Sequence, residues 1–128
     1  MNVVPKAASE INTIVETAKS GGGFEFIFEK DVAVEMSDGL ALRVNVFRPA
    51  TPGKYPVVMA HGVYGKDVHF NHAFKPQWEK LKQVYPELDQ GESTGRFLRW
   101  EVPDPERWVP DGYVIVVADT RGSGKSPG

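Results

Sequence analysis

The sequence predicts an α/β fold in which an antiparallel hairpin leads into buried parallel strands. Three observations carry this. Residues 40–49 (LALRVNVFRP) alternate, placing Leu40, Leu42, Val44 and Val46 on one face and Arg43 and Asn45 on the other, as a strand with one wet face does. Asp38-Gly39 just before them is hairpin-turn chemistry, because glycine accepts the positive φ of a tight turn. Residues 56–60 (PVVMA) and 113–119 (YVIVVAD) are instead unbroken apolar runs, the pattern of parallel strands covered on both faces. At 128 residues the chain has material for one domain.

The elements follow in order. Residues 6–19 set Ala7, Ile11, Ile14, Val15 and Ala18 at helical spacing ahead of Gly21-Gly22-Gly23, which predicts an amphipathic helix and linker over 1–23. Residues 24–30 and 31–36 read as strand, pairing through the Asp38-Gly39 turn with residues 40–49. Residues 49–56 form a loop. Between the two apolar runs lies an insert at about 68–110, longer than a simple crossover requires. Within it, residues 76–85 place Trp78, Leu81 and Tyr85 on one helical face, with Pro86 as the stop. The sheet and its insert make up a second segment, residues 24–128.

Composition narrows the function. A net charge of −2 gives no electrostatic basis for binding nucleic acid. The absence of cysteine excludes disulfides, thiolate metal sites and cysteine nucleophiles, and fits a cytoplasmic location. No basic end followed by an apolar core marks a secretory signal, and no apolar run approaches membrane-spanning length.

The last seven residues, GSGKSPG, spell two catalytic signatures at once. Gly124-Lys125-Ser126 matches the end of a P-loop, but the first P-loop glycine would fall at position 119, which is Asp119, a carboxylate that repels phosphate. Gly124 to Gly128 also fits G-x-S-x-G, the elbow that presents a nucleophilic serine. In that elbow the residue after the serine donates its backbone N–H to the oxyanion, and here that residue is Pro127, which has none. Ser126 is therefore read as part of a structural turn. Asp119 and Arg121 are expected to pair with each other or with nearby backbone.

Residues 57–67 (VVMAHGVYGKD) carry the other chemistry-bearing stretch, a strand ending at His61-Gly62 and a loop containing Tyr64. From the residues alone, Tyr64 either points its phenol at a developing oxyanion or packs and bonds to a local carbonyl. His69 and His72 stand at i,i+3, yet no third ligand lies near them, so no metal site is read there. The aromatics of the insert, among them Phe70, Phe74, Trp78, Phe97 and Trp100, suit either packing on the sheet or lining a pocket.

Three stretches in order, residues 34–49, 54–67 and 111–128, resemble the α/β-hydrolases grouped around cocaine esterase and the X-prolyl dipeptidyl peptidases. The resemblance implies the amino-terminal portion of an α/β-hydrolase sheet, cleaving ester or amide bonds of small-molecule substrates through an acyl-enzyme. It implies a Ser–Asp–His triad, no cofactor, and Tyr64 as the oxyanion-hole tyrosine. It also places the nucleophile, acid and histidine beyond Gly128, so residues 1–128 alone are expected to be inactive. A non-catalytic binding module built on the same fold is the alternative. Neither nucleic acid nor membrane is expected as a partner.

Overall fold

The computed structural model of the protein describes residues 11–128. The described residues form one five-stranded sheet in the order β1-β2-β3-β5-β4. Its strands are β1 Ile14–Lys19, β2 Glu25–Glu35, β3 Ala41–Pro49, β4 Val57–Gly62 and β5 Val114–Asp119. From β1 through β5 each neighbouring pair is antiparallel, and β4 joins β5 as the parallel pair. The mixed sheet thus has the expected antiparallel entry and a parallel step. The hairpin turn closes where the sequence places it: Gly39 has φ +84° and donates its N–H to the Met36 carbonyl.

Between β4 and β5 run the short helix α1 (Phe70–Ala73), α2 (Lys75–Val84) and α3 (Pro105–Trp108), with 3₁₀ turns at Pro86–Asp89 and Val109–Asp111. Helix α2 is the one the periodicity predicts. It has proline in its first turn and ends at Tyr85, before a proline that cannot continue the ladder. The Asp104 carboxylate caps α3 by accepting the Glu106 N–H. No described helix is long and apolar enough to cross a membrane.

Three expectations change. The helix over 6–19 is not formed across 14–19; that stretch is β1, in register with β2 from Ile14↔Lys30 to Lys19↔Glu25. Residues 6–10 lie outside the described residues. The physical reason is partly propensity, since Ile14, Val15 and Thr17 are β-branched and favour a pleated strand, and partly tertiary, since β2 offers an edge for them to pair with. Next, Arg43 and Asn45 do not face water; Asn45 is 1 % exposed, because Asp31 on β2, Asp67 after β4 and Ser126 in the final turn supply polar partners on and around β3. Finally, β5 is largely covered but β4 is not: Val57 is 57 % and Met59 56 % exposed, since among the described residues nothing packs on that face of the edge strand.

The core sits under the insert. Phe28 and Phe47, cross-strand partners, stack at 4.7 Å, and Phe97 from the insert meets both edge-on at 5.0 and 4.9 Å. Ala18, Phe26, Val109, Ile115 and Val117 complete the cluster. Phe97 therefore packs, and truncating such a buried ring typically costs about 3–5 kcal/mol.

A second tie holds the insert at the other end of the sheet. The buried Glu106 carboxylate accepts N–H bonds from Gly21 at 2.9 Å and Thr94 at 3.0 Å, and the Thr94 hydroxyl at 2.7 Å. One carboxylate thus joins the β1–β2 turn to the insert.

Candidate active site

The strand β4 ends at Gly62, whose carbonyl accepts the Thr120 N–H at 3.1 Å, so the loops that follow β4 and β5 leave the sheet side by side. Tyr64 lies on the first of these loops, 53 % exposed, with its ring edge-on to Phe74 at 5.5 Å. Phe74 in turn stacks on Trp100 at 4.2 Å. Among the described residues, no hydrogen bond engages the Tyr64 hydroxyl. Of the two roles open to it from sequence, bonding to a local carbonyl is thus not what the structure contains.

Tyr64 lines a cleft of about 430 Å³ between β4 and the insert. Val58, Ala60 and Val117 contribute from the sheet, Trp100 and Val102 from the insert. Its size is that of a small-ligand site, and His61, Arg99 and Glu101 add polar groups to the apolar lining. Of the insert aromatics, Trp100 reaches this cleft, while Phe70, Phe74 and Trp78 form a ring-on-ring layer behind it.

Beneath the Tyr64 loop lies a cluster of charges. The Lys66 side chain is 0 % exposed, and its ammonium bonds to Asp31 at 2.5 Å and Asp67 at 2.8 Å. Lys125 reaches the same two carboxylates at 3.0 and 3.4 Å. Asn45 joins them, donating to Asp67 and accepting the Asp31 N–H. Asp31 itself has φ +62° at a bulge in β2, a left-handed conformation that costs a non-glycine residue energy and is held here by its partners. Burial alone raises the Asp67 pKa, but hydrogen bonds from Asn45 and Lys66 and the charges of Lys66 and Lys125 outweigh it, bringing the carboxyl down to about 2.

Asp119, also buried, accepts the Lys66 N–H at 2.8 Å and the Lys125 N–H at 2.9 Å. It pins the Tyr64 loop and the glycine-rich turn to one point. A Cβ at Gly124 would collide with it. Arg121 pairs instead with Asp38 of the hairpin turn, at 2.9 Å. Ser126 is buried: its hydroxyl donates to the Asp119 carbonyl at 2.7 Å and accepts the Arg43 N–H at 2.9 Å. Both capacities of that hydroxyl serve the turn. His69 is similarly engaged, accepting the Asn71 N–H at Nδ1 and meeting the Gly95 carbonyl at Nε2.

Tyr64 is thus placed on a cleft, and the turn that mimics two signatures is placed as structure. The charge cluster escaped sequence reasoning, because Asp31, the Lys66-Asp67 pair and Lys125 are far apart in the chain and each alone reads as surface. The one available signal was a charged pair, Lys66-Asp67, directly after a strand and a loop.

A mixed sheet whose parallel pair delivers a tyrosine loop and a glycine-rich turn to one end is the amino-terminal part of an α/β-hydrolase sheet. A family profile described as X-Pro dipeptidyl-peptidase (S15 family) matches residues 38–128, and the chain belongs to that family. Two crystal structures of a CocE/NonD family hydrolase from Staphylococcus aureus are similar to it. One is 36% identical over 98% of this chain with a TM-score of 0.68, the other 35% identical over 97% with a TM-score of 0.67. The chain spans about a fifth of their length, 21% in each case. Among curated proteins, none matches it significantly.

Proposed function

We propose that this chain is the oxyanion-loop portion of a serine hydrolase that cleaves ester or amide bonds, acyl or X-prolyl, in small-molecule substrates. The nucleophile, acid and histidine come from outside residues 1–128. In the full-length enzyme, meaning this chain together with the segments that supply the triad, the serine oxygen adds to the substrate carbonyl carbon. The carbonyl oxygen takes up the negative charge, and the Tyr64 phenol donates a hydrogen bond to it. Collapse expels the alcohol or amine, protonated by the histidine, and water then releases the acyl group. The reaction needs no cofactor, and the enzyme works in the cytoplasm without nucleic acid or membrane.

One observation carries this reading: a half-exposed tyrosine whose hydroxyl has no partner among the described residues, on the loop after β4 and lining a cleft. A donor waiting for an acceptor that forms only during reaction has this appearance. Family membership supports the hydrolytic chemistry.

The test has two arms. The 128-residue chain is given an activated ester and a fluorophosphonate probe; neither turnover nor labelling of Ser126 is expected. In the full-length enzyme, Tyr64→Phe should lower kcat by about 10²–10³, the usual effect of losing one oxyanion donor, with KM little changed. Labelling of Ser126 would overturn the assignment of the nucleophile. An unchanged kcat in Tyr64→Phe would overturn the role of Tyr64.

A further inference from the structure

We infer that Lys66 is a positioning residue for Tyr64, its buried ammonium and its backbone together fixing the loop that carries the phenol. The inference rests on the oxyanion role proposed above for Tyr64. Three holds converge on this one residue. The side chain, with no exposure, reaches Asp31 on the β2 bulge and Asp67. The Lys66 N–H is taken by Asp119 at the end of β5. The Lys66 carbonyl accepts Arg99 Nε from the insert at 2.9 Å. Sheet, bulge and insert therefore all locate the same backbone unit, two residues after Tyr64.

The link between the two residues is a glycine held in a closed turn. Gly65 has φ +90°, and a Cβ there would stand 2.7 Å from Val68 Cγ2. The Gly65 carbonyl accepts the Val68 N–H at 3.2 Å, closing the turn around Lys66. On its other side the chain is tied more lightly: the Val63 carbonyl accepts the Ser123 hydroxyl at 3.4 Å and the Gly62 carbonyl the Thr120 N–H at 3.1 Å, while the Tyr64 ring meets Phe74 edge-on with half its surface in solvent. The most heavily tied unit beside the phenol is thus Lys66.

Burying an ammonium with its carboxylates gains little stability over well-packed apolar groups, because desolvation offsets the attraction. What such a network does supply is a single geometry, since each donor and acceptor is met in one arrangement alone. A displacement of about 1 Å in a catalytic group can cost up to roughly 10²-fold in rate.

The experiment is a double-mutant cycle in the full-length enzyme, reading kcat, KM and melting temperature. Lys66→Met is combined with Asp31→Asn, so that the ammonium leaves together with its nearest carboxylate, while Asp67 keeps Asn45 and Lys125. This neutral pair should lower kcat by about 10–100-fold with KM within about twofold. In the Tyr64→Phe background the same pair should lower kcat no further, because the group it positions is already gone. Full additivity of the two losses would overturn the inference while leaving the role of Tyr64 intact. An unaffected kcat in Tyr64→Phe alone would overturn the role of Tyr64, and the inference with it. Asp67→Asn, a milder change at a partly exposed carboxylate, provides the second route if the neutral pair melts too early to assay. It should show a smaller loss of kcat that again vanishes in the Tyr64→Phe background, and additivity there would equally overturn the inference.

Discussion

Ser126 and Asp67 show how far a side chain's partners decide its role. Replacing Ser126 with alanine leaves the Arg43 N–H and the Asp119 carbonyl buried with one bond fewer, which should cost about 1–3 kcal/mol of stability. Its kcat in the full-length enzyme should be unchanged, whereas loss of a nucleophile would abolish turnover and spare stability. Denaturant melts and ester kinetics separate these outcomes. The sequence argues against Ser126 as nucleophile because Pro127 has no N–H; the two partners of its hydroxyl, 83 residues away and 7 residues away, were not legible there. For Asp67, the folded pKa of about 2 lies below the ordinary 3.8. A carboxyl depressed on folding adds stability that is fully present above its unfolded value and is lost as pH falls through the folded one. The wild type should therefore lose more stability than Asp67→Asn between about pH 4 and pH 2, measured by urea melts across that range. Equal losses would mean that Asp67 is not held by its lysines in solution.

At the level of elements, the joints between segments explain both what sequence patterning reveals and what it hides. Helix α2, the Asp38-Gly39 hairpin and the ends of β4 and β5 announce themselves through period, proline and glycine. Strand β1 does not, because its Ile14, Val15 and Ala18 suit a helical stripe as well as a strand, and its choice is made by β2 alongside it. The wet face expected on β3 was misjudged for a related reason. Alternation separates the two faces of Arg43 and Val44, but both are buried, and the partners that meet Arg43 and Asn45, among them Asp67 and Ser126, lie far along the chain. The β1–β2 turn is where these long-range ties can be tested. A Cβ on Gly21 would collide with the Gly91 carbonyl oxygen, backbone that cannot rotate away, while the Gly21 N–H is committed to Glu106. Gly21→Ala should destabilise the protein by several kcal/mol, of the order seen for overpacking, about 1–3 kcal/mol or more. Gly23→Ala meets no such neighbour and suffers only the strain of its φ of +90°. Thermal melts of the two variants should rank Gly21→Ala as the worse; the reverse order would mean the insert does not lie against this turn.

Across the whole molecule, the two faces of the sheet are unequal. One is sealed by the insert and its aromatic cluster; on the other, Val57 and Met59 stand more than half exposed along β4, whose outer edge has no strand partner among the described residues. Unpaired edge groups beside an apolar strip form a template for another strand, and natural edges are commonly guarded by charge, which β4 lacks. The 128-residue chain should therefore self-associate in a concentration-dependent way, visible by light scattering coupled to gel filtration. Met59→Lys places a charge on that strip and should shift the chain toward monomer with a stability change within about 0.5 kcal/mol, the usual range for exposed positions. The same substitution in the full-length enzyme distinguishes an exposed face from a covered one. If further strands and helices of the hydrolase pack there, burying an unpaired ammonium should lower stability by well over 1 kcal/mol. A chain that stays monomeric at every concentration, with Met59→Lys silent in both contexts, would show that this face is neither sticky alone nor covered in the enzyme.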